Sequence, residues 1–510
     1  MNQKTALEIL KRRHNVFLTG AAGSGKTYLL NQYIQYLKNK NIGVAVTAST
    51  GIAATHMNGT TIHSWSGMGI KDKITENDLR RISRNYRAQR RMDKTSVLII
   101  DEISMLHAHQ MDNADKICRH LKGELFLPFG GLQVVLCGDF FQLPPVQKNK
   151  NEKAKFAFES DVWKKMEIKI CYLDEQHRQE DRQILDLLND IRGANVNEKT
   201  WKTILSRKNK EVAGDIKPTK LFTHNIDVDS INDKELQKIK EKSLGYAMRF
   251  SGSKKMVELL KRGCLAPEKL VLKKGARVIF IKNNFDEGYV NGTVGEVVGF
   301  NYENKFPIVK TLKGRKIVVS PGVWEIEENN SVLARIKQIP LRLAWAITVH
   351  KSQGMSLDMA EIDLEKSFEY GMGYVALSRV KTLSGIKLLG INKMALAIND
   401  EIYELDKELL KLSEKTENEM QKVDYPAREE KIKKAFYPIN PAMSSKKYRV
   451  DEIRIKYKNA YAPWSREDDQ KLIREFRQNK SAAELAEIFG RKRGAIGSRL
   501  KKLLDNKSGK

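Results

Sequence analysis

The sequence predicts an α/β protein built on parallel sheets, with a small β-rich insert and a helical module near its C-terminal end. Short β-branched runs alternate with helical segments over the first half of the chain, which is typical of a parallel sheet. Beyond about residue 275 the runs become shorter and are separated by Gly, Asn and Pro, as in a small barrel. The last stretch of the chain carries two helix-capping signatures.

Length, charge and cysteine usage narrow the class of protein. The chain has 510 residues, and 91 Lys and Arg against 63 Asp and Glu give a net charge of +28. This surplus favours a polyanionic partner such as nucleic acid, although a basic surface also serves solubility. Four cysteines without a C-x-x-C pair argue against a zinc site or a disulfide framework. Without an apolar run of membrane-spanning length, we expect a soluble, intracellular protein with no membrane partner.

The first core is expected to span residues 1–168. Apolar runs predict its strands, and amphipathic segments between them predict its helices. Residues 57–95 interrupt the alternation with a turn region followed by the basic stretch Arg80–Lys94, so we interpret them as an inserted subdomain. The predicted strands and helices are Val16–Thr19, Tyr28–Asn39, Gly43–Thr47, Val97–Asp101, Gln110–Lys122 and Gln133–Cys137.

A second αβ core is expected over residues 169–400. Short strands within it predict a barrel-like insert at about residues 285–338. Residues 401–460 are charge-rich and predict a helical linker. The predicted elements of the second core and its insert are Ile184–Ile191, Leu221–Thr223, Asp227–Lys240, Ala276–Lys282, Gly292–Phe300, Ile308–Thr311, Lys316–Ser320 and Leu341–His350.

Residues 461–510 predict three short helices that resemble a helix-turn-helix. Ser465 and Ser481 each precede an acidic residue at the spacing of a capping box, and a glycine turn separates the last two helices. Basic residues at the third helix, including Arg493 and Arg499, fit contacts with DNA phosphates. A three-helix module that docks a protein is the alternative.

The segment Gly20-Ala21-Ala22-Gly23-Ser24-Gly25-Lys26-Thr27 lies between an apolar strand and a helix and matches a phosphate-binding loop. Its glycines let backbone N–H groups surround phosphate at a helix N-terminus. Lys26 is expected to reach the β- and γ-phosphates, and the Thr27 hydroxyl to coordinate Mg²⁺. The sequence therefore predicts that a nucleoside triphosphate and Mg²⁺ bind here.

Two further strand ends carry polar residues. Asp101 and Glu102 end the strand that begins at Val97, and at this position Asp101 would hold Mg²⁺ while Glu102 polarises the attacking water. Gln142 follows the next strand and is placed to sense the γ-phosphate. A loop glutamine held by the backbone is the alternative for Gln142.

Seven motifs occur in order over about residues 1–400: GAAGSGKT, TASTGIAA (Thr47–Ala54), DEISM (Asp101–Met105), GDFFQLPPV (Gly138–Val146), LDEQHRQ (Leu173–Gln179), AITVHKSQGMSLD (Ala346–Asp358) and YVALSRV (Tyr374–Val380). Taken in order, these motifs resemble those of superfamily 1 helicases of 5′→3′ polarity, and most closely the Pif-type DNA helicases. RecD-like helicases are the nearest relatives, and the segment Asn58–Trp65 favours the Pif type, although Asn58 and Trp65 replace a usual glycine and phenylalanine. The short segment before the phosphate-binding loop fits a bacterial-type enzyme, expected in the cytoplasm and associated with the nucleoid.

The resemblance implies two RecA-like P-loop NTPase cores with ATP between them and an SH3-like barrel as the insert. It also implies that Gln3 contacts the adenine and that Arg178 and Arg379 are arginine fingers. His63 and Trp65 could stack on bases, for which burial in the core is the alternative. The residues that would contact DNA are Ser49, Thr50, His63, Trp65, His350 and Lys351.

The expected activity is that of an ATP-dependent 5′→3′ DNA helicase, which translocates on single-stranded DNA and unwinds duplex or structured DNA. The expected partners are single-stranded and forked DNA, with G-quadruplex DNA as a further candidate, and the expected active form is a monomer on DNA. A RecD-like or RNA-directed translocase and an ATP-switched DNA-binding protein without unwinding activity are the alternatives. A P-loop GTPase is disfavoured because the sequence has no N-K-x-D motif.

Overall fold

The structure, a computed structural model, describes residues 1–421 and 457–506 apart from residues 70, 148–153, 176–180, 213–216, 224–227, 285, 313, 329–330, 460–461 and 479. In this part of the chain, no helix combines the length and the apolar character needed to cross a membrane. The fold confirms the predicted class, with two RecA-like cores, an inserted β-rich domain and a C-terminal three-helix module.

The first core is a parallel sheet covered by helices. Its strands are β1 (Asn15–Gly20), β2 (Val44–Ala48), β3 (Thr60–Thr61), β4 (Val97–Asp101), β5 (Gln133–Cys137) and β6 (Ile168–Leu173). Its helices are α1 (Gln3–Lys11), α2 (Lys26–Asn39), α3 (Gly51–His56), α4 (Ile62–Ser66), α5 (Glu76–Ser83), α6 (Tyr86–Lys94), α7 (Ala108–Lys122) and α8 (Asp161–Lys165). The sheet order is β3-β2-β4-β5-β1-β6, and β4 and β5 are buried along their whole length, as expected of strands covered on both faces.

The boundary between the cores lies one strand later than predicted. β6 pairs in parallel with β1, in a register that runs from Asn15 opposite Ile168 to Gly20 opposite Leu173. The insert expected at residues 57–95 also shares the first sheet, because β3 pairs with β2. The sequence pattern indicates where a strand lies. The sheet to which the strand belongs depends on its pairing with strands far away in the sequence.

The second core is a four-stranded parallel sheet. Its strands are β7 (Thr219–Phe222), β18 (Ala346–Thr348), β19 (Ala360–Leu364) and β20 (Ile386–Ile391). Its helices are α9 (Arg182–Arg192), α10 (Glu198–Leu205), α11 (Val228–Lys238) and α13 (Met372–Ser378). The sheet order is β18-β7-β19-β20.

The β-rich insert lies between β7 and β18. Its elements are β8 (Ser243–Ala247), β9 (Arg249–Gly252), α12 (Lys254–Gly263), β10 (Lys269–Lys273), β11 (Arg277–Phe280), β12 (Val294–Phe300), β13 (Pro307–Thr311), β14 (Lys316–Val318), β15 (Gly322–Glu328), β16 (Ser331–Gln338) and β17 (Leu341–Leu343). A five-stranded antiparallel sheet, β14-β13-β12-β11-β17, extends beyond both predicted limits of the barrel. The hairpin β15-β16 joins β9 in a separate sheet, and α12 contacts α3 of the first core.

Helix α14 (Asp400–Gln421) occupies the first part of the predicted linker and returns to the first core. It packs on β6, where the Tyr172 N–H donates to Ser413 Oγ at 3.0 Å and Lys169 Nζ lies 2.6 Å from Glu419 Oε2. The chain therefore leaves the second core but remains attached to the first.

The C-terminal module is formed by α15 (Arg466–Arg477), α16 (Ala482–Ile488) and α17 (Arg493–Asn506). Both predicted capping boxes are present, at Ser465 and at Ser481. Leu125 and Phe126 of the first core pack against the buried face of the module, and the Phe126 and Phe476 ring centroids are 5.7 Å apart. The module thus rests on the turn that follows α7.

Candidate active site

The phosphate-binding loop connects β1 to α2, at the carboxyl end of the first sheet. Gly20 has φ +138°, and a Cβ at this position would lie 2.4 Å from the Leu173 carbonyl oxygen of β6. Gly25 has φ +85° and caps α2. Side chains at either position would be strained, so glycine is required for the loop to pass β6 and enter the helix.

The side chains of the loop fit a triphosphate. Lys26 Nζ donates to the carbonyl oxygens of Gly20 at 2.8 Å and Ala21 at 3.0 Å, so its ammonium group lies over the loop. Ser24 is fully buried, and its Oγ has no hydrogen-bond partner among the described residues. A buried hydroxyl without a partner is costly, and a phosphate oxygen would satisfy it. Gln3 Nε2 lies 3.5 Å from the Ser24 carbonyl oxygen, which puts the predicted adenine contact beside the loop.

The paired carboxylates Asp101 and Glu102 lie at the end of β4. Glu102 has φ +50°, in the left-handed region, and its N–H donates to Asp101 Oδ1 at 2.9 Å. Burial raises the pKa of Asp101, and burial together with the neighbouring Asp101 charge raises the pKa of Glu102 to about 7. Buried carboxylates of this kind, with the Thr27 hydroxyl in the first turn of α2, are a donor set that fits Mg²⁺.

Gln142 and Arg379 complete the site from two different cores. Gln142 is 7% exposed and follows β5, with its Nε2 at 3.5 Å from Asp139 Oδ2. Arg379 caps α13 of the second core and is 2% exposed, with Nε donating to the Val375 carbonyl oxygen at 2.9 Å. The Arg379 charge opposes the effect of burial on the Glu102 pKa, so the guanidinium acts electrostatically on the Glu102 carboxylate. The second predicted finger, Arg178, lies outside the described residues.

Two residues that were not singled out in the sequence bring α13 against the first core. The Tyr374 hydroxyl accepts a hydrogen bond from the Ala22 N–H of the phosphate-binding loop at 3.1 Å. Gly371 has φ +81°, and a Cβ there would lie 2.7 Å from the carbonyl oxygens of Phe141 and Gln142. Tyr374 opens the YVALSRV motif, so the motif itself was the available signal.

Ser49, a predicted DNA contact, is hydrogen-bonded to the backbone of both carboxylate residues. Its N–H donates to the Asp101 carbonyl oxygen at 3.1 Å, and its Oγ donates to the Glu102 carbonyl oxygen at 2.6 Å. Thr50 caps α3, because its Oγ1 accepts the Ala53 N–H at 3.3 Å. DNA contact by either residue stays a prediction, and the structure adds a direct link from Ser49 to the backbone of Glu102.

Trp65 has little of the accessible ring surface that base stacking needs. Its side chain is 6% exposed and belongs to the core of the first domain, which favours the core alternative, and base stacking by Trp65 stays a prediction. His63, two residues earlier on α4, is half-buried, and burial lowers its pKa although a hydrogen bond to Gln110 opposes the shift. Contact between His63 and DNA stays a prediction.

His350 and Lys351 follow β18, at the carboxyl end of the second sheet. His350 is exposed, and Lys351 is partly exposed, with Nζ 3.9 Å from Asp229 Oδ2. Ligands of open parallel sheets bind at this edge, which fits the predicted DNA contacts without testing them.

The predicted phosphate contacts of the C-terminal module have different surroundings. Arg493 is exposed at the start of α17. Arg499 donates through Nε and Nη2 to the two carboxylate oxygens of Asp469, at 2.6 and 2.7 Å. This fork-to-fork pair holds α15 against α17, so the structure gives Arg499 an internal partner in place of a free phosphate contact.

Comparison with known proteins identifies the family. A profile of the PIF1-like helicase family matches residues 2–200, and one described as the DNA helicase Pif1 2B domain matches residues 255–300. The ATP-dependent DNA helicase Pif1 of Psychrobacter sp. is 46% identical over 458 residues, which cover 78% of this chain and 69% of that protein. The chain belongs to the Pif1 helicase family. The Pif1 of Bdellovibrio bacteriovorus is 34% identical, with 80% of this chain and 91% of that protein covered, whereas the match spans 62% of the Xenopus laevis PIF1.

Solved Pif1 structures share the fold. The Bacteroides sp. Pif1 in complex with ADP-AlF4 has a TM-score of 0.67 and 29% identity, covering 80% of this chain and 96% of that one. The Bacteroides Pif1 bound to single-stranded DNA has a TM-score of 0.53 and 29% identity, covering 81% and 97%. A further Pif1 structure, titled for unwinding at forked duplex DNA, has a TM-score of 0.53 and 30% identity, covering 81% and 97%.

Proposed function

We propose that this member of the Pif1 family is an ATP-dependent helicase that moves 5′→3′ on single-stranded DNA and unwinds duplex or structured DNA. One observation carries the proposal: residues from both cores meet at one nucleotide site, with Lys26, Asp101, Glu102 and Gln142 from the first core and Arg379 from the second. A site divided between two cores changes shape as ATP is bound and hydrolysed. The named activity of the relatives supports the same conclusion.

The chain's own residues account for hydrolysis of ATP. The phosphate-binding loop and Lys26 hold the triphosphate, and Glu102 orients the attacking water and takes its proton. Gln142 contacts the γ-phosphate, and Arg379 neutralises the charge that develops in the transition state. Thr27 and Asp101 would hold Mg²⁺, which supplies charge neutralisation at the β- and γ-phosphates when bound.

Coupling of ATP hydrolysis to DNA binding follows from the link between Ser49, a predicted DNA contact, and the carboxylate residues Asp101 and Glu102. Ser49 Oγ donates a hydrogen bond to the Glu102 carbonyl oxygen, so a movement of Ser49 on DNA binding would be transmitted directly to Glu102. His350 and Lys351 offer a second contact on the other core. As ATP closes and reopens the two cores, each core would bind the DNA strand tightly in turn. The DNA strand would thereby move through the enzyme.

Single-stranded and forked DNA are the proposed partners, in line with the titles of the related structures. We further propose G-quadruplex DNA as a substrate, a monomer as the active form on DNA, and a cytoplasmic, nucleoid-associated location. Exposed Arg493 supports a second, static DNA contact by the C-terminal module.

Strand displacement on duplexes with either a 5′ or a 3′ single-stranded tail tests the proposed function. We expect ATP-dependent displacement with the 5′ tail only, and loss of displacement and hydrolysis in Lys26→Ala. Displacement from 3′ tails, or unwinding retained by Lys26→Ala, would contradict the proposal. ATP-dependent binding without displacement would favour the ATP-switched DNA-binding alternative.

A further inference from the structure

Arg192, the last residue of α9 in the second core, is buried among hydrogen-bond acceptors from other parts of the molecule. Its Nη1 donates to Asp139 Oδ1 at 2.7 Å and to the Tyr374 hydroxyl at 3.2 Å. Its Nη2 donates to the Tyr172 hydroxyl at 2.8 Å and to Asp406 Oδ1 at 3.2 Å. The side chain is only 7% exposed, so its charge is balanced by these partners and not by water.

The partners belong to three elements of the architecture that must come together, namely the first core, the second core and helix α14. Asp139 follows β5 and Tyr172 lies on β6, both in the first core, whereas Tyr374 lies on α13 of the second core. Asp406 lies on α14, which packs on β6. Removing one member of a buried ion pair leaves the other unpaired at high cost, so Arg192 favours the arrangement in which all three elements are docked.

Asp139 connects Arg192 to the reacting end of the nucleotide site. Its carbonyl oxygen accepts the Gln142 N–H at 3.0 Å, and its Oδ1 also accepts the Phe141 N–H at 3.2 Å. The Arg192 guanidinium carbon lies 4.1 Å from the centre of the Phe141 ring. The position of the loop that carries Gln142 is thus set by a carboxylate that Arg192 holds.

We propose that Arg192 is a positioning residue for ATP hydrolysis, which acts through Asp139 on the Gln142 loop and, through Asp406, makes the docking of α14 depend on the closure of the two cores. The inference rests on the proposed ATPase function. Arg192 acts at one remove from the nucleotide, whereas Lys26 and the phosphate-binding loop hold the phosphates. Replacement of Arg192 should therefore affect turnover more than ATP binding.

The first test separates positioning from binding. In Arg192→Gln we expect kcat for hydrolysis with saturating single-stranded DNA to fall about 10²-fold, the size of effect that a misplaced catalytic group produces, with KM for ATP changed less than about threefold. Arg192→Lys should retain only part of kcat. Its ammonium group keeps the positive charge, but it lacks the planar guanidinium that contacts Asp139 and Asp406 at the same time.

Arg207→Gln provides the matched control. Arg207 is also in the second core, and its side-chain partners in the described part of the chain are backbone carbonyl oxygens, of Ile386 at 2.8 Å and Ser384 at 2.9 Å. We expect its kcat to stay near that of the wild type. Melting temperatures of all variants show whether a loss of turnover reflects unfolding.

Hydrogen exchange of α14 tests the second half of the proposal. We expect ADP-AlF4 to slow amide exchange over residues 400–421 of the full-length wild type, and we expect this change to be lost in Arg192→Gln and in Asp406→Asn. The inference is overturned if Arg192→Gln keeps wild-type kcat, if it loses activity only in proportion to a lower melting temperature, or if nucleotide leaves exchange of α14 unchanged in the wild type. Hydrolysis and strand displacement by the wild type, measured alongside, report separately on the proposed function.

Discussion

Glu102 combines a left-handed backbone with a carboxyl group whose pKa is raised to about 7. A non-glycine residue in this conformation is strained, and the surrounding structure must hold it there. The Glu102 N–H donates to the Asp101 carboxylate, and its carbonyl oxygen accepts the Ser49 hydroxyl. Both backbone polar groups of Glu102 are therefore fixed by neighbours, an arrangement that would preorganise its side chain for its proposed role toward the attacking water.

The raised pKa of Glu102 predicts the acid limb of the pH profile. A general base must be ionised, and a raised pKa means that Glu102 is protonated at a higher pH than an ordinary glutamate. We expect kcat/KM for ATP to fall about tenfold per pH unit below about pH 7 and to level off above it. Steady-state hydrolysis from pH 5 to 9 measures this, and a profile that stays flat from pH 8 down to pH 5 would contradict it. Glu102→Gln should lack measurable turnover throughout.

Removal of the Ser49 hydroxyl should weaken the stimulation of hydrolysis by DNA. Ser49→Ala loses one hydrogen bond to the Glu102 carbonyl oxygen, which is worth about 1 kcal/mol, so we expect stimulation to fall about fivefold to tenfold. Hydrolysis with and without single-stranded DNA measures the effect. Ser83→Ala on α5, whose hydroxyl bonds the Arg80 carbonyl oxygen away from the site, is the control, and an equal loss in both variants would refute the link.

The C-terminal module α15–α17 is an element whose removal should affect binding and not chemistry. Truncation at residue 455 deletes basic surface, including exposed Arg493, but leaves both cores. We expect weaker DNA binding and a smaller salt dependence, with DNA-stimulated hydrolysis largely unchanged. Fluorescence anisotropy over a series of salt concentrations measures both quantities, and an unchanged slope would favour the protein-docking alternative.

Single substitutions in the module distinguish surface from internal arginines. Arg493→Gln should lower the slope of log affinity against log salt by about 1, the effect of one lost phosphate contact. Arg499→Gln breaks the pair with Asp469 and should instead lower the melting temperature of the module. Equal changes of slope in the two variants would show that the Asp469 pair does not occupy Arg499 in solution.

Local elements of the fold could be predicted closely, because their signals are local. The limits of β4 and β5 agree with the apolar runs, and the capping boxes lie where the spacing predicts them. Pairing of β6 with β1 and docking of α14 on β6 depend on contacts between distant segments, which periodicity does not show.

The same distinction applies to the candidate site. Lys26, Asp101 and Glu102 follow from strand ends and a phosphate-binding loop, which are local patterns. Arg192 could not be found in this way, because its partners Asp139 and Asp406 are 53 and 214 residues away in sequence. Trp65 is a related case: its motif leaves open whether the ring is accessible or buried, whereas packing in the core of the first domain buries it.

The approach of the two cores depends on Gly371 at the start of α13. A methyl group there would meet the carbonyl oxygens of Phe141 and Gln142, and φ +81° would strain any other residue. We expect Gly371→Ala to reduce kcat for hydrolysis at least tenfold, because Arg379 would be held away from the phosphates, while nucleotide binding by the first core persists. Steady-state hydrolysis and nucleotide affinity measure the two effects.

Gly245→Ala is the control for that variant. Gly245 lies in β8 of the insert, and a Cβ there would have no neighbour within 4 Å among the described residues. We expect wild-type hydrolysis in this variant. Normal turnover in Gly371→Ala would show that the cores can react without this close contact.

Attachment of the C-terminal module to the turn after α7, through Phe126 and Phe476, has a consequence for stepping. The module packs on the same core as the phosphate-binding loop, so it would move together with that core if the two cores change their relative position. A DNA contact on the module would then stay in place while the second core moves along the DNA. Such a contact would slow dissociation of the enzyme from DNA. It should therefore increase processivity without altering the size of each step.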